Sequence, residues 1–173
     1  ERAGFDEAVT AFSGPIVGIC GGYQMLGERI TNASVEGTGA ADVVEGLGLL
    51  PVETRFSTDK TVEQVRLDVS GSGPIAGATG PVSGYEIHMG ETTHTGTVDS
   101  PLEAQSAAVG SVLGTYLHGV FENEPVRTAL LDTIGQRANA ERITGSVEPG
   151  SPYDDAAALL ADVDLSAVGL GKY

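Results

Sequence analysis

The chain has 173 residues, 24 of them acidic and 9 basic, for a formal net charge of −15. With 40% hydrophobic residues it can build one folded domain with a core, while the charge argues against nucleic acid as a partner, since too few cations are present to neutralise phosphates. No run of eighteen apolar residues and no charged-then-apolar leader occurs, so the sequence predicts no membrane span, no signal peptide and a cytoplasmic protein.

Residues 5–12 carry apolar side chains at Phe5, Ala8, Val9 and Phe12, a helical spacing that Ser13-Gly14-Pro15 ends. Residues 15–19 are almost wholly apolar, as in a parallel strand covered on both faces. A helix is predicted from about 21 to 28. Residues 31–47 are rich in Gly, Ala, Thr and Glu and read as a loop. Val52 to Phe56 can form a strand, and Lys60 to Val69 alternates with Val65, Leu67 and Val69 on one face, the pattern of a half-exposed strand. The glycines and prolines of 70–81 predict a loop, followed by a strand over 82–88 and a polar, loop-like stretch from Gly90 to Pro101 within which a strand can form. Ser106–Val109 and Val112–Leu117 read as two strands joined by a tight turn at Gly110-Ser111. A helix opens at Glu124-Pro125 and runs to about Ala140, with Val126, Leu130, Leu131 and Ile134 on one face. A last helix is predicted over about 153–162. Strands alternating with helices, with antiparallel strands in the middle, make this an α/β fold.

The chemistry centres on the single cysteine. Gly18-Ile19-Cys20-Gly21-Gly22 has the G-x-nucleophile-x-G form of a nucleophile elbow, with Cys in the place of Ser. So tight a strand-to-helix turn predicts collisions between the positions two before and two after the nucleophile, hence glycine at both. The amides that open the following helix direct partial positive charge at an anion formed there. The alternative is that Cys20 is a small buried hydrophobe in a Gly-rich turn. One cysteine makes no internal disulfide and leaves a free thiol. A zinc site from Cys20, His88 and His118 lacks any local ligand spacing, so no metal is expected. No Gly-x-x-x-x-Gly-Lys-Ser/Thr loop is present, and ATP is not expected to bind this chain.

The longer string Gly-Ile-Cys-Gly-Gly-Tyr-Gln-Met-Leu-Gly over 18–27 resembles the nucleophile segment of triad-type (class I) glutamine amidotransferases. It is most similar to the branch found at the C-terminus of cobyric acid synthases. Gly84-Tyr85-Glu86-Ile87-His88-Met89-Gly90-Glu91-Thr92 and Gly114-Thr115-Tyr116-Leu117-His118-Gly119-Val120-Phe121-Glu122-Asn123 fit the same branch, in the right order. The resemblance covers roughly residues 12–165. It implies a flavodoxin-like, mostly parallel sheet flanked by helices, with additional antiparallel strands. It also implies a partial domain over 1–165 with a tail at 166–173, the N-terminal strands and an upstream synthetase domain lying outside this sequence.

What the resemblance implies for the site follows residue by residue. Cys20 is the nucleophile and the N–H of Gly21 one oxyanion donor. His118 is the proton shuttle; its alternative is a strand-end histidine capping a neighbouring carbonyl. Gln24 and Gly22 lie against bound glutamine, unless Gln24 is a helix-surface residue. Glu86 and His88 share a strand face by the period of two; they line the glutamine pocket or support the Cys-His pair, or they are a structural hydrogen-bonded pair. His94 is expected to be solvated. The usual triad carries a Glu two residues after the histidine, where Val120 stands here. Glu86, Glu91, Glu122 or a carboxylate outside this sequence can replace it, or the site runs as a dyad.

The implied activity is glutamine hydrolysis that feeds ammonia to an ATP- and Mg2+-dependent synthetase domain of the same polypeptide, which amidates adenosylcobyrinic acid a,c-diamide on the route to cobalamin. Rival readings are the amidotransferase subunit of a Mur-ligase-like cell-wall enzyme, a stand-alone hydrolase of γ-glutamyl compounds, and a non-catalytic docking module.

Overall fold

A computed structural model describes residues 4–36, 42–103 and 105–138. The elements in chain order are α1 (Phe5–Ala11), β1 (Ile16–Ile19), α2 (Gly21–Leu26), β2 (Arg29–Thr31), β3 (Val43–Glu45), β4 (Val52–Ser70), β5 (Thr79–His94), β6 (Ser106–Val109), β7 (Val112–Thr115) and α3 (Glu124–Ala138). Short 3-10 turns occupy Ala33–Glu36, Gly73–Ile75 and Val120–Glu122. The helix predicted over 153–162 and the tail at 166–173 lie outside the described residues.

The fold is α/β with two mixed sheets. One has the order β1-β7-β6, with β1 parallel to β7 and β6 antiparallel to it; the other has the order β3-β2-β4-β5, with only β2 and β4 parallel. Two apolar clusters hold the elements together. Leu67, Val69, Ile75, Val82, Leu113 and Leu117 pack with Val120 and Val126 between the β4–β5 hairpin, β7 and α3. Tyr23, Leu26, Leu50, Val52 and Tyr116 form a second cluster under α2, against which Cys20 packs.

Several expectations change. Residues 52–70 form one strand rather than two, and β5 runs from 79 to 94, through stretches expected to be loop. The ladder shifts register between Arg55 and Lys60, so Phe56 to Asp59 oppose Gly90 alone. Such an irregularity breaks the period-two alternation without ending the strand. β3 lies within the stretch expected to be loop and β2 ends at its first residue; three residues each are too short to display a period. β1 packs on both faces, Val17 and Ile19 against the first cluster and Ile16 against the second, though only Gly18 is fully buried and among the described residues the strand pairs along one edge alone. On α3 the buried residues are Val126 and Ala129, with Leu130 partly buried, while Leu131 and Ile134 are exposed. The helix meets the turns at 73–75 and 120–122 with a face rotated from the one the apolar residues suggest. The β6–β7 hairpin forms as expected, its turn held by Gly110 at φ 58°.

Candidate active site

Cys20 stands between the last residue of β1 and the first of α2, at φ 54° and ψ −116°. Positive φ in a residue with a side chain is strained by about 1–3 kcal/mol and persists only where the surroundings enforce it. Here the enforcement is visible. The Cys20 N–H donates to Thr115 O at 2.9 Å, tying it to the end of β7, and its carbonyl accepts from the Gln24 N–H at 3.2 Å. A Cβ on Gly18 would lie 2.7 Å from the carbonyl carbon and oxygen of Gly22, so glycine is needed there. The expected reciprocal requirement does not hold. A Cβ on Gly22 meets nothing within 4 Å, because it points out of the turn rather than across it. The Cys20 thiol is half-exposed and donates to Ile87 O on β5 at 3.4 Å. Gly21 opens α2, so its N–H belongs to the first turn and has no carbonyl within the helix.

His118 is held on the same stretch of β5. Its N–H donates to Tyr85 O at 2.8 Å and its carbonyl accepts from the Tyr85 N–H at 3.2 Å. The two rings stack with centroids 4.9 Å apart and planes 8° from parallel. Nε2 of His118 is buried and has no hydrogen-bond partner among the described residues. Cys20 and His118 therefore contact β5 two residues apart, at Ile87 and Tyr85, and the Thr115 carbonyl that holds Cys20 is three residues before His118. Gly84 makes the approach possible, since a Cβ there would strike the His118 carbonyl oxygen and lie 2.8 Å from Leu117.

Glu86 and His88 occupy the opposite, buried face of β5. Nε2 of His88 is 3.4 Å from Glu86 Oε2 and Nδ1 is 3.1 Å from Gly90 O, so both ring nitrogens are engaged inside the protein. The His88 ring stacks on Tyr116 at 3.9 Å and 20°. Of the readings open for this pair, that is the geometry of the structural one. Gln24 is not on the helix surface. It is buried, and Nε2 donates to the Tyr116 hydroxyl at 3.2 Å and to Met89 O at 3.4 Å. His94, at the end of β5, is exposed.

Tyr116 is the residue the sequence does not single out. Its hydroxyl also meets Thr92 Oγ1 at 2.6 Å, which meets Thr54 Oγ1 at 2.7 Å, and its ring lies edge-on to Tyr23. Burial pushes the Tyr116 hydroxyl above its ordinary pKa and nearby Cys20 adds to the rise, against hydrogen bonds with Thr92, Gln24 and Thr54. The only advance signal is its place two residues before His118.

No carboxylate orients the His118 ring among the described residues. Val120 is 1% exposed within the core, Glu86 is engaged with His88, and Glu91 and Glu122 are exposed and make no hydrogen bond to the ring. Nor do three His, Cys, Asp or Glu residues converge as a metal-holding group among the described residues. No helix among them is long and apolar enough to cross a membrane.

Comparison with known proteins gives a consistent picture. Residues 1–126 match the CobB/CobQ-like glutamine amidotransferase domain. A probable cobyric acid synthase of Halobacterium salinarum is 50% identical over 173 residues, covering 98% of this chain and 34% of the relative. One from Methanoculleus marisnigri is 42% identical over 89% of this chain and 33% of its own length. A cobyric acid synthase of Chloroflexus aggregans is 44% identical over 84% of this chain and 31% of its own. The chain thus spans about a third of the length of the curated relatives it matches.

Proposed function

The chain belongs to the CobB/CobQ-like glutamine amidotransferase family, and on that premise we propose that it hydrolyses the side-chain amide of glutamine at Cys20, with His118 as the proton shuttle. One observation carries this reading: the thiol sits at a strained, enforced elbow and meets β5 at Ile87, and an imidazole whose buried Nε2 has no partner among the described residues is braced on β5 two residues away, at Tyr85.

His118 takes the thiol proton as the sulfur of Cys20 attacks the amide carbon, and the charge that develops on the carbonyl oxygen faces the Gly21 N–H. The C–N bond breaks as His118 gives a proton to the leaving nitrogen, releasing ammonia. Water then adds to the γ-glutamyl thioester, His118 takes its proton, and the C–S bond breaks to return the thiol and free glutamate. The open space over Gly22 leaves room for the substrate beside the sulfur. Gln24, Glu86 and His88 act from below, shaping the floor of the pocket through Tyr116.

The relatives are named cobyric acid synthases, and each is about three times the length matched here. The ammonia acceptor in this reading is a synthetase domain of the same polypeptide. That domain uses ATP and Mg2+ to amidate adenosylcobyrinic acid a,c-diamide.

The test is labelling by an electrophilic glutamine analogue, with glutamate release measured alongside, on this chain and on a polypeptide carrying the synthetase region. Label on Cys20, lost in Cys20→Ala, and faster release with the synthetase region present are expected. Equal labelling of the wild type and Cys20→Ala refutes the nucleophile.

A further inference from the structure

We propose that Tyr85 is the positioning residue for His118, holding it with an aromatic face and two main-chain hydrogen bonds where a Cys-His-Glu site would use a carboxylate. The inference rests on the catalytic reading of His118 and deepens it. A shuttle imidazole must be held in one plane, and an acid hydrogen-bonded to the ring is the usual means. That means is absent around His118 among the described residues. The position two residues on is Val120, enclosed in the core, and no glutamate reaches the ring.

Tyr85 supplies both restraints that remain. The reciprocal N–H···O pair, 2.8 and 3.2 Å, makes residues 85 and 118 directly opposed in an antiparallel bridge, which puts their side chains on one face. On that face the rings lie 8° from parallel with centroids 4.9 Å apart, so the imidazole cannot tilt without losing contact with the phenol. The bridge requires Gly84, because any side chain there would strike Leu117 and the His118 carbonyl. Gly84 lets the strand come close, and Tyr85 fixes the ring. The Tyr85 side chain is 46% exposed, so its removal leaves the core intact. A stack fixes a plane but not a tautomer. The Tyr85 hydroxyl has no hydrogen bond to the ring, so the face, not the oxygen, is what His118 uses.

The experiment compares Tyr85→Leu, Tyr85→Phe, Glu91→Gln and Glu122→Gln. Two readouts are taken: glutaminase kcat and KM, and the imidazole proton resonances of His118. Tyr85→Leu is expected to lower kcat by about tenfold or more while KM stays within about twofold, as misplacing a catalytic group does. Its His118 resonances lose the upfield ring-current shift. Tyr85→Phe restores both, and the two glutamate variants change neither. Equal kinetics and resonances in Tyr85→Leu and wild type overturn the proposal, as does equal loss in Tyr85→Phe and Tyr85→Leu, or a tenfold loss in Glu91→Gln or Glu122→Gln. Should the wild type release no glutamate even in a polypeptide carrying the synthetase region, the catalytic reading fails. The resonances still decide whether Tyr85 sets the ring.

Discussion

Nε2 of Gln24 donates to the hydroxyl of Tyr116 across 3.2 Å, fastening the helix behind Cys20 to the strand end that leads to His118. The contact joins residues 92 positions apart and is buried. It adds a side-chain link to the main-chain bond from Cys20 to Thr115 and the β1–β7 ladder that already join the two halves of the site. Thr92 and Thr54 extend it into a chain of hydroxyls.

Breaking that chain in the middle leaves two buried hydroxyls short of a partner. Thr92→Val is therefore expected to destabilise the fold by about 1–3 kcal/mol. A double-mutant cycle between Gln24→Leu and Tyr116→Phe should show coupling of about 0.5–3 kcal/mol in urea unfolding. Additive effects would mean that the 3.2 Å contact carries no energy.

The elbow makes an asymmetric demand on its glycines. Gly18→Ala drives a methyl into the backbone of Gly22, and Gly114→Ala overlaps the ring of Tyr23. Each should cost about 1–3 kcal/mol or more, as overpacking does, and Gly18→Ala should also abolish labelling of Cys20. Gly22→Ala adds a methyl to open space. Its melting temperature should stay close to that of the wild type, whatever happens to glutamine binding. A collapse of Gly22→Ala equal to that of Gly18→Ala would contradict the geometry.

Two tyrosines make the protein sensitive to alkali. Burial raises the hydroxyl pKa of both Tyr23 and Tyr116 above the usual value of 10.0. The unfolded chain then loses these protons first, so the native state holds more protons above pH 10. By linkage, stability is fully present below about pH 10 and falls as pH rises from there toward the native values. Tyr116→Phe and Tyr23→Phe should each flatten that fall. At neutral pH the two differ. The Tyr23 hydroxyl is buried without a partner among the described residues, so Tyr23→Phe should be neutral or stabilise by up to about 1 kcal/mol, whereas Tyr116→Phe removes a connected group and destabilises.

Charge sets the salt response. At a net −15, repulsion spreads over the whole surface. Raising ionic strength from 0.1 M to 1 M shortens the Debye length from about 10 to about 3 Å. With 9 basic residues against 24 acidic ones, and with bridges such as Arg29–Glu53 lying at the surface, screening removes far more repulsion than attraction. The melting temperature should climb through that range. A flat profile would mean the acidic surface is not working against the fold.

The sequence was most legible where a local rule sufficed. Glycine, thiol and two glycines after an apolar run predict the elbow, and Gly110-Ser111 between apolar runs predicts the β6–β7 turn; both form. The proline start of α3 is right as well, yet its buried face is not, because Leu131 and Ile134 are apolar without being covered. The long hairpin was hidden by Phe56 to Asp59, whose excursion opposite Gly90 scrambles the alternation at the point where the strand continues. Tyr116 was illegible for another reason. Its importance comes from Gln24, Thr54 and Thr92, distributed over three other elements, and no spacing within the chain brings them together. Glu86 and His88 were found together by the period of two. Whether they face substrate or core depends on which side of β5 Tyr116 and the β1-β7-β6 sheet lie.

The backbone at Cys20 carries one further consequence. Its dihedral angles suit a residue with no side chain better than they suit cysteine. Replacing the thiol with glycine should therefore raise thermal endurance while extinguishing chemistry. A heat-based screen blind to turnover would discard the nucleophile early, and survivors at position 20 would be sturdier than the parent and inert.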